Sequence, residues 1–140
     1  MERRDYVQRQ IDLLGLVLAK MLAKLTGAPD NFDINEVFNQ QAPLPTGTTL
    51  PPLDEIVNTP THLLASMLES KYGFKNEHLW QNADILFACA SKIERSDVDR
   101  SQLLYLRSLS IYEHLLTSSK TFDLGLLKKV NNLKATLINN

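Results

Sequence analysis

"LLYLRSLSIYEHLL" occupies residues 103–116, and its spacing decides what kind of fold the chain can build. Tyr105, Ser108, Leu109, Tyr112, Leu115 and Leu116 recur at three- and four-residue steps, which places them on one face of a helix. Ser108 is the small residue in the middle of that face, where a second backbone could come close. The segment "LWQNADILFACASKI", residues 79–93, repeats the idea: Ala83, Phe87 and Ala90 have the spacing of Ser108, Tyr112 and Leu115. These stretches read as two helices, 76–94 and 97–118, with Ser96 and Asp99 capping the second. The link between them is short, so they should lie antiparallel.

Other helices follow outward from this pair. Thr59 and Pro60 suit the entry of a helix over 60–72, because proline is tolerated at the first helical position. Gly73 can end it in the left-handed conformation, letting Tyr72, Phe74, His78 and Trp80 pack across the turn. A last helix is expected over 122–138. In the N-terminal segment Val7, Ile11, Leu14, Leu18, Met21 and Leu25 line one face of a helix over 5–26. Asp5 and Gln8 stand at its start, Gly27 and Pro29 at its end. "NFDINEVFNQ" predicts a short helix over 33–40, with Asp33 and Glu36 as capping box and Phe32 against Val37 as hydrophobic staple. Residues 41–60 hold five of the six prolines, too many for a continuous helix. Residues 41–59 therefore read as a long proline-rich loop with at most one turn near Leu53–Val57. Leu44, Leu50, Leu53, Ile56 and Val57 should lay it across the helices. No sustained alternation or Asn-Gly hairpin signal suggests a strand. The expectation is one all-α domain over 1–140, with five or six helices in stacked antiparallel hairpins.

Two resemblances accompany this reading. The small–aromatic–small pattern at Ala83, Phe87 and Ala90, repeated at Ser108, Tyr112 and Leu115, resembles the second helix of a tetratricopeptide repeat over residues 60–118. The two boxes lie 25 residues apart, against roughly 34 in that family, so the resemblance implies divergent helical hairpins and brings no peptide groove with it. "DYVQRQIDLLGLVLAKMLAKLTG" looks like the start of a family of small uncharacterised bacterial helical proteins, which share Asp-Tyr followed by Arg, Ile, Leu and Leu-Ala at helical spacing. That second resemblance implies a helical-hairpin fold and a bacterial setting. It implies no activity, substrate or catalytic residue.

Composition narrows the function. Fifteen Lys and Arg against sixteen Asp and Glu leave a formal charge of −1, with no long-range field to gather nucleic acid or an anionic membrane. The apolar run after "MERRDYVQRQ" is broken by Gly15, Lys20 and Lys24, which fits a signal peptide poorly, and no stretch reaches the roughly 18 apolar residues of a membrane span. A cytoplasmic protein is expected. Cys89 is the single cysteine and is set among small apolar residues, where a thiol behaves as a small hydrophobe.

Catalytic chemistry has little to start from. His62, His78 and His114 fall on three predicted helices, and none has a second His or Cys at a metal-ligand spacing. They read as surface or helix-capping residues. Five glycines form no phosphate loop. Asp54 with Glu55 and Asp97 with Asp99 stand at helix starts, where the dipole attracts carboxylates. Lys120, Lys128, Lys129 and Lys134 read as a solvated face. No catalytic residue, metal or cofactor is expected.

Two surfaces remain as candidates. Lys71, Tyr72 and Trp80 could line a shallow pocket at a helix junction. Ile11, Leu14, Leu18, Met21 and Leu25 fit a heptad seam through which the first helix could meet a second copy, with Leu13, Leu16 and Val17 docking on the hairpins. The function expected is a non-enzymatic interaction or oligomerisation module whose partner is another protein or a second copy of itself, as a homodimer. The alternative is a small-molecule-binding protein or weak enzyme with a pocket beneath the proline-rich loop.

Overall fold

The computed structural model describes residues 3–29, 31–39, 50–118 and 123–138. The described residues form seven α-helices and no strand: α1 (Arg3–Gly27), α2 (Asn35–Asn39), α3 (Leu53–Asn58), α4 (Thr61–Tyr72), α5 (Asn76–Ile93), α6 (Val98–Ser118) and α7 (Leu124–Ile138).

The most extensive contact joins α5 to α6. The Ser101 hydroxyl donates to the Ala90 carbonyl at 2.8 Å and the Ser108 hydroxyl to the Ala83 carbonyl, also at 2.8 Å. Partner numbers fall along α5 as they rise along α6, so the helices are antiparallel. Both serines are buried, and their small side chains let the backbones approach while every buried hydroxyl finds an acceptor. Leu79, Leu86, Leu104, Ile111 and Leu115 are buried in the core that contains this contact.

The remaining helices dock on this pair in an order unlike the sequence order. α1 runs parallel to α5: His78 Nε2 bonds the Ile11 carbonyl at 2.9 Å, Gln81 Nε2 donates to Gly15 at 3.0 Å, and Lys92 Nζ donates to Ala28. α4 runs parallel to α6, through Arg107 Nη2 donating to Val57 at 2.8 Å, the Ser110 hydroxyl donating to Thr61 at 3.0 Å, and His114 Nε2 lying 2.9 Å from Glu69 Oε1. The main partner of α4 is thus α6, although α5 follows it directly. α7 packs on α6 through buried Leu126, Val130 and Leu133, one turn apart each.

The faces of α1 are used in the reverse of the expected way. Leu14, Leu18, Met21 and Leu25 are buried in the core, with Ile11 half-buried, so this stripe is no seam open to a second copy. Leu13 and Leu16, expected to dock at home, are exposed, and Val17 is half-buried. Both faces are apolar enough to pack, but only the Leu14–Leu25 stripe is free of charged residues. Leu16 has Arg9, Asp12 and Lys20 beside it on the helix surface, and burying those would leave charges without water.

Local signals shifted at several boundaries. Asp5 lies inside α1, and Gln8 donates to Asp12 Oδ1 at 3.0 Å instead of reaching back. α2 begins after Asp33, whose Oδ1 accepts the Asn35 N–H at 3.0 Å. Asp97 caps α6 by accepting the Arg100 N–H at 3.1 Å, while the Ser96 hydroxyl turns back to Ile93. Gly73 adopts φ 70°, and the amides of Gly73 and Phe74 return to Glu69 and Leu68, closing α4 with a left-handed cap. Within the expected proline-rich loop, α3 buries Leu53 and Ile56, with Leu50 half-buried against the same core. Leu44 and the rest of 40–49, and Lys120 with the expected start of the last helix at 122, lie outside the described residues.

Ser108 provides the test of the α5–α6 contact. Ser108→Ala should cost about 1 kcal/mol, one net hydrogen bond. Ser108→Leu should cost about 2 kcal/mol or more by wedging the helices apart. Urea denaturation of the three proteins measures both, and a neutral leucine variant would contradict the close packing.

Candidate functional site

A cleft of about 540 Å³ opens between α1, α5 and α7. α5 forms its floor with Phe87, Ala88 and Ser91. Leu22, Leu25 and Thr26 of α1 form one wall, Asn132 and Leu133 of α7 the other. Phe87 is 41% exposed, although its spacing matched the inward-facing Tyr112. Its ring meets Tyr105 edge-on at 5.4 Å, leaving the other side to the cleft.

One end of the cleft is polar. Asp84 on α5 accepts a hydrogen bond from the Tyr112 hydroxyl on α6, and Lys129 Nζ on α7 lies 2.9 Å from the same carboxylate oxygen. The Lys129 ammonium also stands 5.4 Å from the ring centroids of both Trp80 and Tyr112. Burial, reinforced by the Asp84 carboxylate, raises the Tyr112 phenol well above its ordinary range, so it stays protonated. Lys129 neutralises Asp84. The group clasps three helices together.

Sequence reasoning missed this clasp. Asp84 stands beside Ala83 at the rim of an apolar face, and its cation lies 45 residues away on another helix. A carboxylate inside an otherwise apolar stretch was the available signal.

The expected junction pocket is not assembled. Lys71 and Tyr72 both donate to the Glu55 carboxylate, tying α4 to α3. Trp80 lies over Lys129 and lines a separate hollow of about 390 Å³ with Ile11, Asp12 and Gly15, in which neither Lys71 nor Tyr72 takes part. The junction aromatics instead continue inward, Tyr72 to Phe74 at 6.4 Å and Phe74 to His78 at 5.9 Å between centroids. His78 is buried and caps α5: its Nδ1 accepts the Lys75 N–H at 2.9 Å, which leaves Nε2 to carry the proton given to Ile11. His62 is exposed and His114 pairs with Glu69, so the three histidines do not converge. Among the described residues no group of His, Cys, Asp and Glu is arranged to hold a metal ion. Cys89 is fully buried, which pushes its thiol up to about 12 and keeps it from acting as a nucleophile. Comparison of the chain with protein-family models, with curated proteins and with solved structures finds no match.

The Glu55 latch should be visible in the pH dependence of stability. Hydrogen bonds from Lys71 and then Tyr72 hold the Glu55 carboxyl below its ordinary 4.5, so its contribution is present above that value and fades as pH falls beneath it. Burial and the neighbouring Glu55 push the Tyr72 phenol from 10 up to about 12, so its contribution is present below 10 and is lost as pH rises towards 12. Tyr72→Phe should cost about 1 kcal/mol at neutral pH and show a shallower alkaline decline than the parent. Parallel alkaline curves in urea titrations would remove Tyr72 from the latch.

Proposed function

We propose that this protein is a non-enzymatic helical interaction module whose contact surface is the cleft between α1, α5 and α7. One observation carries the reading: an open, largely apolar trough with an exposed phenylalanine on its floor, in which Asp84, Tyr112 and Lys129 already satisfy one another. Exposed apolar surface of this kind on a folded domain marks a place where another apolar surface belongs. The cleft has room for about three large side chains, the number that an amphipathic helix presents over two turns. A segment of another protein, or of a second copy, would seat its apolar residues on Phe87 and Ala88 and its polar edge on Asn132 and the Asp84–Lys129 pair. In this reading the α5–α6 hairpin belongs to a divergent, tetratricopeptide-like bacterial protein of the cytoplasm. Homodimerisation in this reading uses this cleft in place of the buried Leu14–Leu25 stripe.

A second reading, binding of a small molecule, is supported by the cleft volume, which falls within the range of roughly 300–1,000 Å³ that such ligands occupy. Among the described loop residues, 50–59, none lines this cleft.

Phe87→Glu and Ala88→Arg test the module, since both positions carry solvent-facing surface and should tolerate substitution. A protein retained by the native chain, identified and purified, should bind the native chain again and bind either variant at least tenfold more weakly, a loss of about 1.4 kcal/mol. Light scattering on the same three proteins reports self-association. A partner that binds native and variants equally would move the contact away from the cleft. A thermal shift with a small-molecule panel, absent in the variants, would favour the second reading.

A further inference from the structure

The outward face of α1 has a composition that the chain as a whole conceals. Tyr6 is 50% exposed, Leu13 36% and Leu16 52%, and exposed Arg9 and Lys20 stand among them on the same side of the helix. Residues Arg4–Arg9 are all exposed. α1 holds five cationic residues, Arg3, Arg4, Arg9, Lys20 and Lys24, against Asp5 and Asp12, a surplus of three positive charges in a chain whose formal total is −1. The rest of the chain is acidic by formal count; α7 carries a like surplus in Lys128, Lys129 and Lys134, but there Lys129 and Lys134 are paired with Asp84 and Glu113.

We propose that α1 docks this protein on an anionic lipid surface. Pairing the face with its own copy would bring two cationic helices together, which like-charge repulsion opposes. Anionic headgroups supply the complementary charge along a broad plane, and a helix standing at the edge of a bundle meets a plane without needing a matching groove. Tyrosine and leucine enter the boundary between headgroups and acyl chains, while arginine and lysine extend their stems so that the charges stay at the phosphates. The helix lies along the surface and does not cross it: no described helix is long and apolar enough to span a membrane. The attraction is short-ranged and sensitive to salt, since it arises from a local face and not from net charge.

Sedimentation of the full chain with vesicles tests this, using phosphatidylcholine alone and equal parts phosphatidylcholine and phosphatidylglycerol at low ionic strength. The native chain should pellet with the mixed vesicles, stay in solution with phosphatidylcholine alone, and be released from the mixed vesicles by added salt. Arg9→Glu with Lys20→Glu should weaken binding by on the order of tenfold or more, as the loss of two surface cations implies. Leu13→Ser with Leu16→Ser should weaken it at unchanged charge, and circular dichroism keeps the count to folded variants. Failure of the native chain to pellet with mixed vesicles, or equal pelleting with both kinds, overturns the proposal. So does binding that survives the leucine substitutions. A chain that ignores vesicles but binds polyglutamate through Arg9 and Lys20 would assign the face to an acidic protein. The cleft variant Phe87→Glu should leave vesicle binding unchanged, which separates this face from the α1–α5–α7 cleft.

Discussion

The architecture depends on how closely α5 and α6 can approach. Ser101 and Ser108 stand seven residues apart on one helix and reach carbonyls seven residues apart on the other, so a single antiparallel register satisfies both. A hydroxyl buried there without an acceptor would cost about 1–3 kcal/mol, and in the observed register both are satisfied. The contact therefore fixes direction and register together, which apolar packing alone does less sharply. With α5 and α6 fixed, two long apolar faces become available for α1 and α4.

The parallel docking of α1 on α5 and of α4 on α6 follows from chain connectivity. A residue span long enough to return along the bundle separates α1 from α5, so nothing forces the antiparallel arrangement that short links impose. Side chains from α5 then choose the register: His78 and Gln81 reach carbonyls one turn apart on α1. Carbonyl oxygens have a second lone pair, so these bonds add to the helical ones without replacing them. α7 packs on α6 and leaves part of α5 uncovered between itself and α1. That gap is the cleft. Asp84, Tyr112 and Lys129 brace its end, holding three helices at a spacing that would otherwise invite collapse.

The two proposed surfaces divide the labour between different physics. The cleft is apolar with balanced charge and suits side chains that displace water. The outer face of α1 is cationic with scattered apolar residues and suits a charged plane. A protein carrying both could hold a partner beside a membrane, each contact failing separately when its own residues are changed.

Several features were legible in the sequence because they are local. The three-to-four residue periodicity of "LLYLRSLSIYEHLL" and "LWQNADILFACASKI" dictates helices whatever surrounds them, and Gly73 ends α4 because only glycine enters the left-handed region without strain. The close approach at Ser108, the burial of Leu53 and Ile56, and the packing of aromatics across the Tyr72–Phe74 turn also follow from residue type and spacing. What only the tertiary structure decided is which of two competent surfaces is used. α1 is apolar on two sides, and periodicity marks both; the choice of Leu14–Leu25 over Leu13 and Leu16 depends on what α5 presents, a property of residues 50 and more positions away. For the same reason Lys129 reads as a solvated lysine, Phe87 as the counterpart of Tyr112, and Lys71, Tyr72 and Trp80 as one candidate pocket. Pairings across such separations leave no periodic trace in a single chain, since helix geometry constrains neighbours three and four residues apart and says nothing of partners brought together by folding.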